Sequence, residues 1–147
     1  MQEILIKKLH DYIGQNNPDV LISLQSEGEV DRYLKGKLSS VDTLLNELIA
    51  EGAQPFFIEE ICMDALTADL RPSRFNYVAS ILQEEFEPVH GNFQNGGILK
   101  YEIVNMLNTC NPVFESMQFS ERNADSPLLH YAIAGAISEY LDLKKRN

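Results

Sequence analysis

The chain holds 147 residues, with 22 acidic and 12 basic side chains, three histidines, two cysteines and no tryptophan. That length suits one domain, and an apolar content of 44% suits a core burying about 68–70% of the unfolded surface. A disordered chain, a collagen-like chain, a disulfide miniprotein and a membrane channel are thereby excluded, and a net charge of −10 argues against a general nucleic-acid binder, which needs Lys and Arg to displace counterions from phosphate.

Helical periodicity runs almost throughout. Leu5, Ile6, Leu9, Tyr12 and Ile13 make one stripe over residues 2–15, which Pro18 ends. A polar stretch follows around Ser26–Gly28. A second stripe then runs from Val30 to Ile49 as one helix, weakened by Gly36 and Ser39-Ser40 and stopped by Gly52. Pro55 suits the first turn of a helix burying Ile58, Ile61, Cys62, Ala65 and Leu66. Pro72 opens the next, with Phe75, Val78, Ile81, Leu82 and Phe86 on one side, and Pro88 closes it.

Residues 90–97 read as a polar, glycine-rich loop. Leu99, Ile103, Met106, Leu107 and Cys110 form a fifth stripe ended by Pro112. Residues 112–125 read as irregular, with Val113, Phe114, Met117 and Phe119 packed over a helix end. Ser126-Pro127 is a strong helix start. The last helix buries Leu129, Ala132, Ile133, Ala136, Ile137, Tyr140 and Leu141, and ends on Lys144, Lys145 and Arg146, which suit the negative end of its dipole. The expected fold is an all-α single domain over 1–147, a bundle of about six helices with no sheet.

The acid excess is local. Residues 42–88 carry 10 acidic and two basic side chains, whereas the segments on either side are each near neutrality. Such a stretch is either a solubilising face or a docking face for a basic partner. Glu60 and Asp64 share one side of a helix with Glu59 beside them, a pattern that Glu84, Glu85 and Glu87 repeat, and Arg71 and Arg74 flank the next helix start. Those arginines suit ion pairs with Asp69 or a neighbouring glutamate, or an anion at the helix end.

Signs of chemistry are sparse. Glu87-Pro88-Val89-His90 matches the Glu-x-x-His of di-iron bundles, but such a site needs two copies and two further glutamates. His10, His90 and His130 lack a local partner at metal spacing. No Gly-x-Ser-x-Gly, Ser-x-x-Lys, Cys-x-x-Cys or phosphate-loop pattern is present. No cofactor, catalytic or metal residue is therefore assigned. Cys62 and Cys110 sit among apolar residues and suit packing as small hydrophobes. No signal peptide opens the chain, and no apolar run approaches membrane-spanning length, so a cytoplasmic setting without membrane contact is expected.

Leu70-Arg71-Pro72-Ser73-Arg74-Phe75-Asn76-Tyr77 with Ile81-Leu82-Gln83-Glu84-Glu85-Phe86 resembles a motif in a family of small all-helical proteins of anaerobic bacteria, known only as a domain of unknown function. Leu9-His10-Asp11-Tyr12-Ile13 with Asn17-Pro18-Asp19 is similar to that family's start, and Tyr101-Glu102-Ile103 and Ser138-Glu139-Tyr140-Leu141 resemble it more loosely. The resemblance implies an all-helical fold and a setting near mobile elements. It implies no activity and no site residues.

Three functional readings follow. The first is a non-enzymatic protein–protein interaction module that docks a protein partner through residues 42–88, with Glu59, Glu60, Asp64, Arg71 and Arg74 as candidate contacts. The second is an acidic regulator or nucleic-acid mimic acting on a DNA-binding protein. The third is a small hydrolase or metalloenzyme whose site gathers His10, His90, His130, Glu60 and Asp64. Phe56 and Phe57 stand together at a helix start, where only one can point squarely inward, so a homo-oligomer interface is a further expectation.

Overall fold

The computed structural model describes residues 1–146. Among them every regular element is helical, with no strand, in keeping with the all-α reading. The elements are α1 (Gln2–Asn16), α2 (Pro18–Glu27), α3 (Val30–Ser40), α4 (Asp42–Ala50), α5 (Pro55–Thr67), a 3-10 turn (Ala68–Leu70), α6 (Arg74–Glu85), α7 (Glu87–Asn95), α8 (Leu99–Ser116) and α9 (Pro127–Arg146). Nine α-helices among the described residues exceed the expected six. The chain forms two compact units, Met1–Arg71 and Pro72–Asn147.

In the first unit α1 packs against α2, α3 and α5. Its stripe Leu5, Leu9 and Ile13 is fully buried with Leu34 and Leu38 of α3, Leu45 of α4, and Ile58, Cys62 and Leu66 of α5. Full burial of one such aliphatic side chain contributes about 1.5–3 kcal/mol before entropy.

Pro18 starts α2 as well as ending α1. It lacks an N–H, which the first turn does not need, and the Asn17 carbonyl accepts from Val20 and Leu21. Gly28 then closes α2 at φ +69°, letting the Glu29 amide reach back to Leu24. The expected single helix over 30–49 is two, since Val41 breaks it at φ −110°, ψ 7° while burying its side chain in the core.

In the second unit α8 and α9 pack along each other and α6 lies against both. Val78, Ile81 and Leu82 meet Ile103, Met106, Leu107, Cys110 and Phe114, and Leu129, Ile133, Ala136 and Ile137 complete the core. Ser73 caps α6 by accepting from the Asn76 amide at 3.0 Å, so Pro72 precedes the helix instead of opening it.

One expected loop and one expected break are corrected here. Pro88 lies in the first turn of α7, and that helix occupies most of the stretch expected to be a loop. Pro112 lies inside α8. A proline there costs about 3 kcal/mol, but Phe114, four residues beyond Cys110 on the same face, is wholly buried, and that burial carries the helix on to Ser116. Ser126 accepts from the Leu129 amide at 3.4 Å and starts α9 as expected.

Candidate functional site

In the first unit the inner face of α5 carries Ile58, Cys62, Leu66 and Thr67. Positions 57, 60, 61 and 64 share the opposite face by their three- and four-residue spacing. Phe56 is 71% exposed, Phe57 56% and Ile61 39%. Ile61 and Ala65 were expected in the core, and both are exposed. Neither phenylalanine points inward, and their rings stand edge-on to each other with centroids 6.4 Å apart. Beside them lies a groove of about 540 Å³ lined by Tyr12, Phe57, Glu60, Ile61, Met63, Asp64 and Thr67.

The acidic residues on this helix have different surroundings. Glu59 Oε2 accepts from Lys8 Nζ at 2.6 Å, tying α5 to α1. Asp64 accepts from Arg71 Nη2 at 3.0 Å, and Arg71 also donates to the Thr67 and Asp64 carbonyls. Arg71 thus pairs with Asp64; Asp69 is taken by Lys37 at 2.7 Å. Among the described residues Glu60 makes no ion pair, and it lines the groove. Arg74 lies in the second unit, where its guanidinium donates to Asn111 Oδ1 at 3.2 Å, approaches Glu115 at 3.8 Å and covers the Phe114 ring. Of the five candidate contacts, Glu59, Glu60, Asp64 and Arg71 lie on or beside α5 in the first unit, and Arg74 belongs to the second.

The histidines are distributed between the units. His10 is exposed on α1, its nearest carboxylate that of Asp11 at 4.0 Å. His90 lies on α7, half-buried; since that helix begins at Glu87, the Glu87–His90 pair is on a helix after all. His130 Nε2 is 2.9 Å from Glu85 Oε1. Among the described residues no three His, Cys, Asp or Glu side chains gather as metal ligands. Cys62 and Cys110 are both buried free thiols, and burial pushes both up, Cys110 to about 12.

One buried charge has no counterpart in the sequence reading. Glu102, on α8, is 3% exposed. Its carboxylate accepts from Tyr140 Oη at 2.8 Å and from Lys144 Nζ. The Lys144 ammonium also lies 5.2 Å from the Phe93 ring centroid. Burial, with the Glu102 hydrogen bond second, pushes the Tyr140 phenol up to about 12. Position 102 lies three after Leu99 and four before Met106, on the buried stripe itself. An acid inside an apolar stripe was the available signal.

No family model, curated protein or solved structure matches the chain. No helix among the described residues is long and apolar enough to cross a membrane.

Proposed function

We propose that the chain is a non-enzymatic protein–protein interaction module that docks a basic partner on the outer face of α5. The observation carrying this reading is the placing of Phe56, Phe57 and Ile61 in water beside Glu60, which has no cation of its own. Burying two phenylalanines and an isoleucine is the largest gain this surface offers a partner. The carboxylates at its edge favour a cationic one. The first unit carries 13 acidic and six basic side chains, so its field attracts that partner from a distance.

The exposed phenylalanines favour this reading over nucleic-acid mimicry, which needs spaced charge and gains nothing from apolar side chains. They also bear on the homo-oligomer: two copies meeting through this face would bring Glu60 and Asp64 of each near those of the other, which disfavours pairing. The setting we infer is cytoplasmic, supported by two thiols left unpaired.

The test is recovery of a partner on wild type and on Glu60→Lys, at low and at high salt. The expected result is a stoichiometric partner lost with Glu60→Lys and weakened at high salt. Recovery unchanged by Glu60→Lys overturns the placement on α5. Reversal at Glu59 is a poorer probe, because it sets a lysine against Lys8.

A further inference from the structure

The second unit holds a cleft of about 510 Å³ between α6 and the start of α9. That is within the range of small-molecule sites. Its lining includes Tyr77, Glu84, Asp125, Ser126, His130 and Tyr131. No lysine or arginine is among the described residues that line it. The carboxylates of Glu84 and Asp125 make no ion pair with any described residue. The one imidazole is already engaged, His130 Nε2 lying 2.9 Å from Glu85.

Two tyrosines bring aromatic rings to this acidic cleft. Tyr131 is 70% exposed at its rim. Tyr77 is fixed edge-on against Phe114 and Phe119 at 5.6 and 5.2 Å. The Tyr77 hydroxyl is out of solvent contact and has no hydrogen-bond partner. Buried polar groups are nearly always paired, and this phenol, which can both donate and accept, is left without a partner beside the cleft. Its titration is raised by burial and then by Glu84, which places that carboxylate's field on it.

We propose that this cleft binds a small organic cation, a primary ammonium or guanidinium. Such a group donates hydrogen bonds, carries the charge that Glu84 and Asp125 lack, and gains from an aromatic face. An anion fares badly here. It would meet two carboxylates, and the helix end has little left to offer: Pro127 has no N–H, and Ser126 already accepts from the amides of Leu129 and His130.

The test is an amide-resonance titration of the full chain at about 0.15 M salt, with 1,5-diaminopentane as probe and glutarate, its anionic counterpart, as control. The expected result is saturable shifts at residues 77–85 and 124–131 with the diamine and none with glutarate. Glu84→Gln with Asp125→Asn should weaken the diamine at least tenfold. Tyr131→Ala, at an exposed ring that folding does not need, should weaken it about threefold. The proposal is overturned by an absence of shifts, by shifts as large on the acidic residues of the first unit, or by undiminished binding to Tyr131→Ala and the double variant.

Discussion

The Tyr140 hydroxyl donates to Glu102 Oε2 at 2.8 Å, joining the C-terminal half of α9 to the first turns of α8. Lys144, one turn farther along α9, takes the other carboxylate oxygen. A carboxylate this deep is tolerated only because both oxygens are satisfied and its charge is met. The three residues therefore act as a unit that sets the register of α9 on α8.

Removing one member should cost more than its own contact. Tyr140→Phe should lower unfolding free energy by about 1.5–3 kcal/mol, the range for a hydrogen bond to a charged group. Lys144→Met should cost about 2–4 kcal/mol, because it leaves a buried carboxylate without its counter-charge; the figure is held down by the ammonium's partial exposure. Replacing all three residues by apolar ones should cost less than the sum of the single changes. Urea denaturation of the single changes at 102, 140 and 144 and of the triple variant reads these differences.

The same phenol should show in alkaline titration. Its pKa is about 12 in the folded chain, against about 10 in an unfolded one. Between those values the folded state keeps a proton that the unfolded state has lost. Stability from this group is therefore full below about pH 10 and falls as pH rises towards 12. Tyrosinate absorbance should show late-ionising phenols at Tyr33, Tyr77 and Tyr140 among the six, and Tyr140→Phe should remove one of them.

Both cysteines should be silent in the native protein. Burial disfavours thiolate at each, and Cys110 titrates only near 12. A disulfide reagent at pH 8 should find no fast-reacting thiol in native protein and two after denaturation. A fast native thiol would contradict the packing of that core.

Much of the fold was legible, because stripes such as Leu5–Leu9–Ile13 and Leu129–Ile133–Ile137 bury the residues that their spacing selects. Prolines were harder. Pro18 and Pro88 each end one helix and begin the next, and the sequence displays only the ending. Gly97, at φ +72°, closes α7, so it marks a helix terminus in what looked like a flexible loop. At Pro112 the local cost was visible, but the burial of Phe114 that offsets it is a tertiary quantity. The acids of α5 were legible as a cluster. Which of them keeps a free charge was not, since Lys8 and Arg71 approach through folding. The exposure of Ile61 was likewise hidden, because its apolar neighbours made it resemble core.

The central claim is that α5 docks a basic partner through its outer face. Amide hydrogen exchange on the full chain, with and without the partner that co-purifies at low salt, tests it most directly. Slowed exchange on binding, concentrated at residues 56–64 and abolished by Phe57→Ser, is the predicted result. Phe57→Ser should leave folding stability within about 0.5 kcal/mol, as expected for an exposed position. A bound partner that leaves exchange in 56–64 unchanged would contradict the claim.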